Sequence, residues 1–121
     1  MGAAGRVIAA HLPPFLLSGV VEQPLPLRCG PGAVRSAAAF TGSLMHVREA
    51  GYAVDSEEIA GWGAVAAPVL WGGTVYGAVC VLKPSSLMPE DLAVPIGATL
   101  AAAERLSVLA AGHMFPTPLA G

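Results

Sequence analysis

The chain has 121 residues, a net charge of −2, 55% hydrophobic side chains and only 12% charged ones. That length suits one domain and is short for two, and the composition excludes a solvated disordered chain, which needs high charge and few apolar groups. The six basic residues form no stripe, which argues against free-standing DNA or RNA binding, because phosphate neutralisation supplies most non-specific affinity.

The segment from Gly2 to Leu12 reads as an alanine-rich helix stopped by Pro13-Pro14, with Val7, Ile8 and Leu12 on its buried face. That double proline, and the lack of a basic region, apolar core and small-residue cleavage site in order, argue against a signal peptide. Residues 13–33 are rich in Pro and Gly, with room for a helical turn at Phe15–Leu17 and an edge strand at Leu25–Leu27. Ala33 to Ala50 reads as a helix whose inner face is Ala33, Ala37, Phe40, Leu44 and Val47, capped by a left-handed Gly51. Tyr52 to Val54 is a short extended piece.

From Ile59 to Leu82 the chain carries no charge, a stretch long enough for a membrane span of about 20 residues. Pro68 and the pair Gly72-Gly73 break it, and Val, Trp, Tyr and Thr flank that pair. This predicts two strands, Gly63–Leu70 and Val75–Leu82, joined by a tight turn, and no membrane partner. Lys83 to Ser86 is a loop. Pro89, Glu90 and Asp91 read as the first turn of a last helix with acid groups at its positive end. Its expected stripe is Leu92, Ile96, Leu100, Ala103 and Leu106, kinked or starting at Pro95. Phe115-Pro116-Thr117-Pro118 cannot continue a helix, so residues 113–121 are expected to form a flexible tail.

Few segments carry chemistry. Asp55-Ser56-Glu57-Glu58 is the only dense charge. It reads either as acid–base or metal chemistry or, more simply, as Asp55 capping a turn with Glu58 at the capping-box position. His11, His46 and His113 match no metal or triad spacing, and there is no phosphate-binding glycine loop. Cys29 and Cys80 lie far apart outside any CxxC pattern. A zinc site is therefore not indicated, a disulfide stays open on spacing, and two reduced cytosolic thiols are the simpler reading. No cofactor, metal or catalytic set can be assembled, which argues against an enzyme. The small-residue helix start at Gly2–Gly5 could hold an anion on its amides or could simply permit close packing.

Taken in order, Ala3-Ala4-Gly5-Arg6 with Ala9-Ala10-His11-Leu12-Pro13, the run Val47 to Glu58, Val65-Ala66-Ala67-Pro68-Val69, Val75 to Val81 and Met88-Pro89-Glu90 resemble the effector-binding domain of the isocitrate lyase regulator (IclR) family of bacterial transcription regulators. The resemblance runs from about residue 2 to about residue 108. It implies an α+β, GAF-like or profilin-like fold, a curved antiparallel sheet flanked by helices. It further implies that residues 1–112 form a partial effector domain, incomplete at its N-terminus and truncated from its winged helix-turn-helix domain. A small-molecule effector would bind over the sheet and bias that absent DNA-binding domain, in a cytoplasmic protein.

Carried over position by position, the resemblance implies a ligand-binding wall of Ala3, Ala4, Asp55, Ala64, Cys80 and Leu82. Ala64 stands where many relatives have cysteine. Cys80 and Leu82 replace two hydroxyl residues, which removes donors for a carboxylate and favours an apolar, aromatic or weakly polar effector. Two readings of different class follow: a ligand-sensing domain, or a structural and oligomerising remnant of such a regulator. Low charge and an uncovered sheet edge predict homo-oligomers in either case.

Overall fold

The computed structural model describes residues 2–21, 36–57 and 60–114. The elements run in the order α1 (Ala3–Ala10), α2 (Pro14–Val21), α3 (Ala37–Ala50), β1 (Ala53–Ser56), β2 (Trp62–Trp71), β3 (Thr74–Pro84), a short 3-10 turn (Ser85–Leu87) and α4 (Ala93–Met114). The expected strand at Leu25–Leu27, Cys29, Ala33, Glu58 and residues 115–121 lie outside the described residues. The expected turn at Phe15–Leu17 is a full helix, α2. α3 starts at Ala37 instead of Ala33, because the Ser36 hydroxyl accepts from the Ala39 amide and caps it there. It ends on Gly51 at φ 85, as expected.

The hairpin forms where the sequence placed it. Gly72 and Gly73 take φ 57 and 79, the positive angles a two-residue turn requires. β2 pairs antiparallel with β1 on one side and with β3 on the other, in the order β1-β2-β3. β1 reaches only Gly63 to Ala66 of β2. Pro68 falls beyond that pairing, where among the described residues β2 has a neighbour on one side only and a missing N–H is tolerated. The ladder slips between Val69 and Leu70. The Leu70 N–H donates instead to Ser107 Oγ of α4 at 3.0 Å, and that hydroxyl donates to the Ala103 carbonyl at 2.8 Å.

Alternation divides the sheet into two faces. Ala53, Ala64 and Ala66 face α1 and α3 and share a core with Ala3, Val7, Ala9, Ala10, Phe40, Leu44 and Val47. The inner face of α1 is therefore built on alanines and Val7, while Ile8, expected inside, is exposed. Val65 and Ala67 point to the opposite face, which α4 covers through Thr99 and Ala103.

The start of α4 corrects the sequence reading. The helix begins at Ala93, and Pro89 to Asp91 precede it. Asp91 Oδ1 accepts from the Ala93 N–H at 2.9 Å, so the acid group caps the helix from outside. Pro95 falls in the first turn and no kink is needed. The buried stripe differs in part: Ala103 is buried as expected and Thr99 joins it, whereas Leu100 and Leu106 are exposed. Small side chains let α4 sit close to the sheet, and the larger leucines are turned outward. Ala93–Gly112 is long and apolar enough to cross a membrane by length and composition, with a mean hydropathy of 1.3; here its small-residue face packs on β2.

Ser107→Ala removes the acceptor for a backbone N–H that the sheet cannot satisfy. Urea denaturation is expected to show a loss of about 1–3 kcal/mol, with the hairpin end of the sheet most affected.

Candidate functional site

Register assembles the implied wall. Asp55 lies opposite Ala64, and Ala64 lies opposite Leu82, so these three form one lateral row across the sheet. Cys80 stands in the next row, opposite Ala66. All four side chains alternate onto the face that α1 covers. Ala3 belongs to the same buried cluster as Ala64, and Ala4 packs against it. The six residues named from the sequence therefore occupy one face, but they do not line one open cup. Ala3 and Ala64 are 1% and 3% exposed and close the contact between helix and sheet. Leu82 is 56% exposed and Cys80 is also exposed, both at the β3 margin.

Asp55 is a buried strand residue in β1, and the turn after it bends at Glu57, whose φ is 56 and whose N–H donates to the Trp62 carbonyl at 2.9 Å. The Asp55 carboxylate stands at the head of α1: a Cβ built on the N-cap residue Gly2 would lie 3.7 Å from its Oδ2. A helix N-terminus is electropositive and favours an anion there, which accounts for a carboxylate held in an otherwise apolar face.

Arg6 fixes how α1 sits. Its guanidinium donates through Nη1 to Ser43 Oγ of α3 at 3.0 Å and through Nη2 to the Val54 carbonyl of β1 at 2.6 Å. Its Nε is buried without a hydrogen-bond partner among the described residues. Partial burial pushes the Cys80 thiol above its ordinary pKa, and the nearby Asp55 carboxylate adds to the rise.

A cavity of about 260 Å³ lies under the crossing from β3 to α4, lined by Val54, Asp55, Ser56, Gly63, Ser85 and Met88 together with Pro89, Glu90 and Leu92. Only Asp55 among the named residues reaches it. Ser85 Oγ is buried and has no hydrogen-bond partner among the described residues. The sequence reading did not nominate Ser85 or Glu90 for a site, although Met88-Pro89-Glu90 carried part of the resemblance. Among the described residues no group of His, Cys, Asp and Glu could hold a metal ion.

A profile of the family described as bacterial transcriptional regulator IclR C-terminal matches residues 1–108. The chain belongs to this family. Solved relatives agree with the assignment in fold. An IclR homolog from Microbacterium hydrocarbonoxydans, in complex with 4-hydroxybenzoate, is 27% identical with a TM-score of 0.78, over 88% of this chain and 43% of its own. An IclR-type transcriptional regulator from Alicyclobacillus acidocaldarius is 27% identical with a TM-score of 0.77, over 88% of this chain and 44% of its own. The C-terminal domain of a Vibrio cholerae protein classed as a transcriptional regulator is 26% identical with a TM-score of 0.66, over 86% of this chain and 60% of that domain. The chain thus spans less than half the length of the full regulators it matches. No curated protein matches it. The α+β fold with a three-stranded antiparallel sheet is that of the IclR C-terminal domain.

With its pKa raised, Cys80 holds less reactive thiolate at a given pH than an unperturbed thiol. In a Cys29→Ser chain, alkylation of Cys80 followed by intact mass is expected to gain its plateau only at high pH. Asp55→Asn removes the like-charge contribution and is expected to shift that profile to lower pH.

Proposed function

We propose that residues 1–112 are the greater part of a small-molecule effector-binding domain of a cytoplasmic IclR-type regulator, which modulates a helix-turn-helix domain this chain does not contain. The family match over residues 1–108, on a fold shared with a hydroxybenzoate-bound homolog, carries the reading. The domain senses without catalysis. Its ligand wall is Ala3, Ala4, Asp55, Ala64, Cys80 and Leu82, with Asp55 as the one charged member. A ligand carboxylate beside Asp55 meets a like charge at a cost that grows as water leaves. Phenolic and other weakly polar aromatic effectors therefore bind better than small dicarboxylates.

A second reading has its own observation. Ala3 and Ala64 are nearly closed to solvent, so the face of the sheet under α1 is filled in this conformation. That suits a structural, oligomerising remnant in which the wall only packs.

Thermal-shift titration of the 121-residue chain separates the two. A phenol at 100 times its dissociation constant stabilises the fold by about 2.7 kcal/mol, whereas succinate at equal concentration gives less. Leu82→Ser, restoring a hydroxyl, is expected to raise affinity for small acids, and Asp55→Asn to do so more strongly. Unchanged melting for all three proteins across the panel removes the sensing reading and leaves the remnant.

The chain's net charge of −2 and the lack of a base-reading helix among the described residues speak against specific DNA binding by this chain. Electrophoretic mobility of a promoter fragment is expected to stay unchanged at low salt. Sequence-specific retention at moderate salt would overturn that part of the proposal.

A further inference from the structure

The face of the sheet turned away from the ligand wall carries a cavity of its own. Val54 and Ser56 of β1 lie opposite Val65 and Gly63 of β2, so all four share the α4 face. The chain crossing from β3 to α4 passes over them and is pinned there. The Ser85 N–H donates to the Gly61 carbonyl at 2.8 Å, and the Met88 N–H donates to the Ser85 carbonyl at 3.2 Å. Gly63 has no side chain to fill the space below; a Cβ built on it would lie 3.1 Å from Met88 Cγ. The cavity of about 260 Å³ that results takes every wall from residues 54–92. Asp55 enters it from the backbone side. Its carbonyl oxygen lies 3.5 Å from that Cβ position, while its carboxylate stands across the sheet at the head of α1.

The apolar lining is Val54, Met88, Pro89 and Leu92, and the polar side chains are Ser56, Ser85 and Glu90. Ser85 Oγ is the anomaly. It is buried with no hydrogen-bond partner among the described residues, and a buried hydroxyl in that state has lost water without return. Glu90 is exposed at the rim and sets the sign of the charge there. Lys83 lies opposite Gly63 on the same face but does not line the cavity. The N-terminus of α4 is already capped by the Asp91 carboxylate, so an anion gains little from it.

We propose that this cavity is a second small-molecule site, built for a short aliphatic amine that carries a hydroxyl. The ammonium donates to the Glu90 carboxylate, the hydroxyl exchanges a hydrogen bond with Ser85 Oγ, and the carbon chain lies against Met88 and Leu92. Drug-sized ligands occupy pockets of about 300–1,000 Å³, so the volume suits a smaller molecule. The site goes beyond the effector reading and does not rest on it, because it lies on the other face of the sheet and shares only the backbone of Asp55.

The test uses the 121-residue chain with ¹³C-methyl methionine and 3-aminopropan-1-ol as the probe. The Met88 methyl is expected to shift saturably, while the Met45 methyl, exposed on α3, stays still. Propan-1-ol, which lacks the ammonium, and 3-hydroxypropanoate, which replaces it by a carboxylate, are each expected to bind about tenfold more weakly or worse, the order of one charge-assisted hydrogen bond. Glu90→Gln is expected to cost the same factor. Ser85→Ala is expected to weaken the amine about threefold to tenfold without lowering the melting temperature of the free chain, because it deletes a buried group that bonds nothing.

No saturable Met88 shift overturns the proposal and leaves a cavity that holds ordered water only. Equal affinity for the amine and 3-hydroxypropanoate overturns it too, since Glu90 then selects nothing. A lower melting temperature for Ser85→Ala also counts against it, because the hydroxyl then serves the fold. The ligand series on the unmodified chain stands if either variant misfolds. A phenol that raises the melting temperature without moving the Met88 methyl reports the ligand wall alone, so the two sites fail or succeed separately.

Discussion

Helix α1 lies as close to β2 as it does because alanine meets alanine across the contact. Ala3, Ala9 and Ala10 come from the helix, and Ala53, Ala64 and Ala66 from the sheet, with Val7 filling the middle. Such a surface offers little shape to fix the helix rotation, since small side chains interdigitate weakly. Arg6 supplies that constraint by holding α3 through Ser43 and β1 through the Val54 carbonyl. Its planar, forked guanidinium can satisfy two acceptors in different directions from one anchored position. The placement of the α1 N-terminus, and with it the setting of Asp55, follows from that one side chain.

Asp55 then fixes the electrostatic character of the face. Its carboxylate already stands at the positive end of α1, where an incoming acid would otherwise find the helix dipole most favourable. The backbone offers an anion site, and the chain fills it with its own anion. At Cys80, a second position on the sheet, burial raises the thiol pKa and the Asp55 carboxylate adds to the rise. Helix and carboxylate together make this face poor in net positive potential although it begins at a helix N-terminus.

Local rules recovered the hairpin, the Gly51 cap and most element boundaries, because each rests on residues within a few positions of one another. The buried face of α4 was legible only in part. Helical spacing selected Ala103 correctly but also Leu100 and Leu106, which are exposed, and it passed over Thr99; the sheet accepts Thr99 and Ala103 for their small size against an alanine-rich partner. That preference belongs to the partner surface and leaves no trace in the helix itself. The row Asp55, Ala64 and Leu82 was nominated through family resemblance, and strand register is what makes it a row. The cavity with Ser85 and Glu90 arises where the chain turns back from β3 toward α4, and no local pattern marks such a crossing. That Asp55 belongs to a strand is not marked locally either, because a short acidic cluster before a turn looks alike whether its first member ends a strand or starts a loop.

The slipped ladder at Leu70 has a consequence for how the molecule opens. An N–H that a regular ladder would satisfy donates to Ser107, distant in sequence, and Ser107 is anchored in turn to the Ala103 carbonyl. The tip of a hairpin ordinarily frays first, since its closing bonds break one at a time. Here the Leu70 amide is released to solvent only when α4 lifts from the sheet. Hairpin tip and C-terminal helix thus form one cooperative unit, and amide exchange at Leu70 reports the undocking of a helix instead of the fraying of a turn.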